Sequence, residues 1–377
     1  MATTEVRPSS QSTEPVLHRW GPRLAVLGAT IVGLTTLAVG VGLGPRHAAK
    51  EGLGPTALLG FSLAAVGVVA VVWATVRILR SVRRRWWFVV VPAILVAAYL
   101  SLWTLGQAVA ATYAPRPPLG AATPASVGLD YRSVDLRSSD DVSLAGWYVP
   151  SRNGAAVVVL HGAGSTRSAV LPHASVLAEH GYGVLLLDAR GHGQSSGRGM
   201  DFGWYGEADA AGAVTFLARQ PDVDPARIGL LGLSMGGEQA IGAAGADPRV
   251  AAVVAEGATA RVAADKGYLS SYGLRGEAQQ WIDRLTFAAT DLLSDAPRPD
   301  SLRHSVTVAA RRPDPTRFLL IAAGDVETEG LAADFIRADH DAVRTWTAPG
   351  AGHTQGLETA PAEWERRVVG FLDVTLR

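Results

Sequence analysis

The segment Gly232-Leu233-Ser234-Met235-Gly236 places a serine midway between two glycines, a spacing suited to nucleophilic chemistry. A serine hydroxyl is a poor nucleophile at neutral pH. It needs a base, a group that orients that base, and donors for the oxyanion that forms. An apolar run, Arg227–Leu233, leads into Ser234, and a helical stretch begins at Met235. Small residues at Gly232 and Gly236 let the strand and helix backbones approach across a sharp turn. The new helix turns its free N–H groups and positive dipole end toward the serine. A second G-x-S-x-G segment, Gly193-Gln194-Ser195-Ser196-Gly197, lies in a glycine-rich loop after Asp188 with no strand leading directly into it. Context therefore selects Ser234.

Of the nine histidines, His353 has the best placement for a base. It stands in Pro349-Gly-Ala-Gly-His353, after the last apolar run and before the last helical stretch. His18 and His47 fall in the apolar amino-terminal part, and His161 is embedded at a strand end. His173, His180, His304 and His340 belong to helical stretches, and His192 sits in the loop after Asp188. For the orienting acid, Asp325 immediately follows the strand Arg317–Ala323 and lies between serine and histidine in chain order. Glu327 and Glu329 are close enough to replace it, and Glu256, ending the preceding strand, is a more remote alternative. Oxyanion donors are expected from the N–H of Met235, just after the nucleophile, and of Ala163 in His161-Gly162-Ala163-Gly164.

These residues must be carried by strands whose ends converge. Arg132–Arg137 and Ser143–Val149 read as an antiparallel hairpin. Six short apolar runs follow, at 156–161, 183–188, 227–233, 249–256, 317–323 and 343–348, with helical stretches between most of them. That alternation predicts a mostly parallel sheet of eight strands with helices on both faces. Ligands in such sheets bind beyond the carboxyl ends of the strands, where Ala163, Ser234, Asp325 and His353 all fall.

The segments LHGAGSTRS, DARGHGQSSG, VDPARIGLLGLSMGG and GAGHT occur in an order and spacing that resembles the α/β-hydrolase superfamily. The likeness is greatest to dienelactone-hydrolase-like and S33 serine-aminopeptidase-like proteins, and to membrane-tethered Bem46-type hydrolases. It covers about residues 127–377. The resemblance implies Ser234 as nucleophile, His353 as base, Met235 and Ala163 as oxyanion donors, and an architectural role for the Asp188-Ala-Arg190-Gly-His-Gly loop. Around the acid, AGDVETEG departs from the family's common Asp-x-x-Val-Pro pattern, which leaves the acid open among the candidates above. An insertion at about 259–316 sits where such folds carry a cap. Its Trp281, Ile282, Leu285, Phe287, Leu292 and Leu293 suggest an amphipathic helix that either roofs a pocket or packs on the domain.

The remaining third of the chain is different. Leu24–Gly44, Gly52–Val76 and Trp86–Pro115 are free of charge, and each exceeds the ~20 residues needed to span a bilayer. Three transmembrane helices are expected, at about 24–44, 56–76 and 86–110, after a cytoplasmic tail (1–23) and before an extended Pro/Gly-rich linker (116–126). Arg77, Arg80, Arg83, Arg84 and Arg85 crowd one loop, which the positive-inside rule assigns to the cytoplasm, leaving the domain at 127–377 outside. Residues 1–115 carry ten basic and three acidic residues, a net +7; the remainder carries 24 and 31, a net −7. The whole chain, at zero net charge, lacks the basic excess of a nucleic-acid binder. With no cysteine, thiolate nucleophiles, disulfides and cysteine-ligated metal centres are excluded. No H-E-x-x-H motif occurs, and neither a metal nor a cofactor is expected. The sequence thus points to a membrane-anchored serine hydrolase of carboxylic esters, small or lipid-like. A peptidase or acyltransferase using the same triad, and a non-catalytic binding or sensory module on the same fold, are the alternatives.

Overall fold

The computed structural model describes residues 17–338 and 340–376, with side chains from Leu24 onward. The tail expected over residues 1–23 lies outside the described residues as far as residue 16, and residues 17–23 already belong to the first helix. Helix α1 (Leu17–Glu51) is followed by α2 (Pro55–Ser81) and α3 (Trp87–Ser101). The last continues through a π-helical turn (Leu102–Gly106) into α4 (Gln107–Thr112). Three stretches, Leu24–Glu51, Pro55–Ser81 and Arg84–Thr112, are long and apolar enough to cross a membrane. Between helices in lipid there is no hydrophobic driving force, so association depends on close backbone packing. Helices α1 and α2 meet through glycine: a Cβ on Gly60 would lie 2.3 Å from the Gly44 nitrogen.

The eight strands are β1 (Arg132–Arg137), β2 (Ser143–Val149), β3 (Ala156–Leu160), β4 (Gly183–Leu187), β5 (Ile228–Leu233), β6 (Val250–Glu256), β7 (Arg317–Ala323) and β8 (Val343–Ala348). They form one sheet in the order β1-β2-β4-β3-β5-β6-β7-β8, with β2 antiparallel to both neighbours and the remaining pairs parallel. The helices that connect and flank them are α5 (Leu171–Glu179), α6 (Gly206–Leu217), α7 (Met235–Ala246), α8 (Leu274–Leu293), α9 (Leu302–Ala310), α10 (Glu327–Arg337), α11 (Gly356–Thr359) and α12 (Pro361–Thr375). Side chains alternate across the pleat. Val158, Leu185 and Leu230 join one core, while Val157, Val159, Leu186 and Leu231 join another that also contains Trp364 of α12. Strands buried on both faces explain the near-continuous apolar runs in the sequence.

The apolar helices are docked on this domain. Arg46 of α1 forms an ion pair with Asp201, and the Lys50 ammonium donates to the Gly164 carbonyl at 3.1 Å. The Arg116 N–H donates to Glu51 at 2.8 Å, and its guanidinium donates to the carbonyls of Ser195 and Gly197. Gly193 N–H donates to the Pro117 carbonyl at 3.1 Å. The extended segment after residue 115 is therefore a strap held along the domain surface, where the sequence alone suggested a plain linker.

Replacing Gly60 by leucine would force α1 and α2 apart, an overpacking that costs about 1–3 kcal/mol. Thermal unfolding of the full chain in detergent, followed by tryptophan fluorescence, is expected to shift down by several degrees for Gly60→Leu. Gly28→Leu should leave it unchanged, because a side chain there meets nothing within 4 Å.

Candidate active site

Ser234 occupies the turn between β5 and α7 with φ 53° and ψ −118°, a left-handed backbone for a residue with a side chain. Such strain persists only where the surroundings over-determine it. Here a Cβ on Gly232 would come within 2.1 Å of the Gly236 carbonyl, and one on Gly236 within 2.4 Å of the Leu160 carbonyl. The Ser234 N–H donates to the Glu256 carbonyl at 2.7 Å, tying the turn to β6.

His353 reaches this serine from the loop after β8. Its Nε2 lies 2.9 Å from the Ser234 Oγ, and its Nδ1 lies 2.6 Å from Oε1 of Glu329. With Nδ1–H donating to the carboxylate, Nε2 is free to accept the serine proton. The carboxylate within hydrogen-bond distance of His353 is therefore that of Glu329. Helix α10 starts at Glu327, so Glu329 falls in its first turn and faces inward, only 2% exposed, whereas Asp325 and Glu327 are exposed. The second carboxylate oxygen of Glu329 accepts the Ala323 N–H at 2.8 Å, which fixes it against the end of β7. The Glu329 hydrogen bond raises the His353 pKa above its ordinary value, against the opposing effect of burial. Glu256, the remote alternative, instead accepts the Gly356 N–H (2.7 Å) and the Trp364 indole (2.9 Å), and so anchors the chain just beyond His353.

The other sequence candidates are also placed. Met235 is the first residue of α7, where an N–H has no partner within its own helix. Ala163 lines the same cavity as Ser234. The loop that carries Ala163 is braced by His161. Its Nε2 accepts the Ala189 N–H at 3.1 Å, so Nδ1 bears the proton and donates to the Gly162 carbonyl at 2.8 Å. Burial pushes the His161 pKa down to about 3, keeping it neutral. The second serine motif is structural: the buried Ser195 hydroxyl donates to the Asp188 carbonyl (2.6 Å) and accepts the Ala145 N–H (2.9 Å). Asp188 in turn holds Arg167 in a buried ion pair at 2.6 Å, consistent with an architectural loop.

A cavity of about 740 Å³ opens beside Ser234 and His353. Val170, Pro172, Val176, Leu233, Leu357 and Pro361 make most of its wall apolar. His173 adds a buried imidazole whose two nitrogens lack a protein partner and whose pKa is pushed down by burial to about 4. No residue of the 259–316 insertion lines this cavity. In that insertion Phe287 packs with Met200, Trp204 and Ala296, whereas Trp281, Leu285 and Leu292 are exposed. Among the described residues no three metal-ligating side chains converge.

Residues 151–307 match the family model described as serine aminopeptidase, S33. In fold the chain is similar to the esterase Pf2001 of Pyrococcus furiosus, with a TM-score of 0.54 and 24% identity, covering 70% of this chain and 100% of that one. The chain has the α/β-hydrolase fold. Among curated relatives, the thiohydrolase aneE of Aspergillus aculeatus is 39% identical over 133 residues, 33% of this chain and 40% of that protein. The Mycobacterium tuberculosis protein Rv2307c is 40% identical over 126 residues, 33% of this chain and 44% of that protein. The match thus spans less than half the length of these relatives.

If Glu329 orients His353, Glu329→Gln should lower turnover of a p-nitrophenyl ester by about 10⁴. A protonated His353 cannot accept the serine proton, so wild-type activity should rise with pH through a midpoint above the ordinary histidine value of 6.5. Loss of the carboxylate should move that midpoint down. Asp325→Asn should leave both rate and midpoint close to wild type; a large loss there would restore Asp325 as the acid.

Proposed function

We propose that this α/β-hydrolase is a membrane-anchored serine hydrolase that cleaves carboxylic esters through an acyl-enzyme on Ser234. The observation that carries the reading is the chain of contacts Ser234–His353–Glu329 at the foot of an apolar cavity. The Ser234 oxygen attacks the ester carbonyl as its proton passes to His353 Nε2, and buried Glu329 stabilises the resulting imidazolium. The N–H groups of Met235 and Ala163 receive the oxyanion. His353 then protonates the leaving alcohol, and a water activated by the same imidazole releases the acid. The apolar wall suits the acyl part of an ester. Two similar proteins, a thiohydrolase and an esterase by name, fit the same acyl-enzyme chemistry.

The membrane part of the proposal rests on the three apolar stretches and on where the domain docks. Arg46, Lys50 and Glu51 at the end of α1, and Arg116 just after α4, touch the domain or its strap, whereas Arg80, Arg83, Arg84 and Arg85 cluster at the opposite helix ends. By the positive-inside rule the arginine end is cytoplasmic and the catalytic domain extracytoplasmic.

A fluorophosphonate probe should label the wild-type chain and fail to label Ser234→Ala, whose ester turnover should fall by about 10⁶. Equal labelling of both would remove Ser234 from the chemistry. Protease added to intact cells should release a fragment of roughly the domain's size, and full protection would reverse the orientation.

A further inference from the structure

Helix α8 has an outer face that its own domain leaves uncovered. Leu274, Ala278, Trp281, Leu285, Ala288 and Leu292 recur every three or four residues, so they form a single stripe along the helix. All six are exposed; Leu274 is 85%, Trp281 55% and Leu292 87% accessible. The opposite face, with Gly276, Thr286, Phe287 and Thr290, is the one buried against the domain. An amphipathic helix on a water-soluble body presents these faces the other way round.

The position of α8 says what covers the stripe. The helix packs against the π-helical turn Leu102–Gly106 and against α4, which together make the last three turns or so of the third apolar stretch. On the membrane-spanning reading, α8 therefore lies beside the end of the third span. Trp281 stands near the middle of the stripe, an amphipathic ring of the kind enriched at headgroup level. Glu277, Arg284 and Asp291 flank the stripe and remain exposed.

We propose that α8 is an interfacial helix, its outer face seated in the leaflet on the catalytic side, so that the hydrolase domain lies on the bilayer. The proposal rests on the membrane-spanning reading of α1–α4. It makes the insertion a membrane contact in place of a roof over Ser234.

The chain has no cysteine, so single substitutions give unique labelling sites. The full chain is reconstituted in phosphatidylcholine/phosphatidylglycerol vesicles with a nitroxide at Trp281→Cys, Leu285→Cys, Glu277→Cys, Asp314→Cys or Leu95→Cys. Power-saturation EPR then compares collisions with oxygen, which partitions into lipid, and with an aqueous nickel chelate. Labels at 281 and 285 should favour oxygen, those at 277 and 314 nickel, and the one at 95, within α3, oxygen most strongly. If 95 reports lipid while 281 and 285 match 314, the interfacial placement fails and the spans stand. Nickel accessibility at 95 would overturn both readings. Dipolar broadening between labels at 281, without oxygen preference, would assign the stripe to a second copy and sink the proposal.

Discussion

The site depends on one close approach. Strand β5 and helix α7 can meet at Ser234 only because neither Gly232 nor Gly236 carries a side chain, and Gly236 also clears the Leu160 carbonyl. Three elements are locked by that contact: the strand that ends at Ser234, the helix that follows it, and β3, whose following loop carries Ala163. The left-handed backbone of Ser234 is what the packing leaves available, and it raises the hydroxyl above the sheet edge. Everything else at the site is delivered to that fixed point by loops at the same edge.

Delivery is by buried polar groups with specific partners. Glu329 uses one oxygen on His353 and the other on the Ala323 N–H, so the carboxylate that holds the imidazole is itself pinned to β7. Glu256 performs a matching task one strand over. Its side chain holds Gly356 and Trp364 while its carbonyl takes the Ser234 N–H. Burying two carboxylates so near each other is costly unless each is hydrogen-bonded, and both are. Burial raises the Glu256 pKa, and its hydrogen bonds from Trp364 and Gly356 counter that rise.

Much of this was legible in the residues. Apolar runs bounded by turns located all eight strands, and the carboxyl-edge rule brought Ser234 and His353 to one place. The carboxylate that meets His353 was not readable in the same way. Proximity to a strand end favoured Asp325, but the facing of an acidic residue depends on where the next helix begins. With α10 starting at Glu327, a shift of a few residues turns Glu329 inward and leaves Asp325 outside. The insertion stayed open between two readings for a related reason. Periodicity marks an apolar stripe without saying which face the body of the protein covers, and in α8 the covered face holds threonines and Phe287. The docking of the strap had no signature either, since its hydrogen bonds from Gly193 and Arg116 run through backbone carbonyls that any residue possesses.

Helix α1 runs unbroken from Leu17 to Glu51, about 52 Å at 1.5 Å per residue. Its final turn carries Lys50, hydrogen-bonded to the carbonyl of Gly164 beside the loop that lines the cavity. A rod of that length is a lever: rotation by about 5° around its far end displaces Lys50 by roughly 4 Å, more than the length of the bond it makes. Helices adjust to hydrocarbon thickness chiefly by tilting. If α1 spans a bilayer, as proposed, a tilt that fits it to the lipid would pull on a loop at the mouth of the cavity.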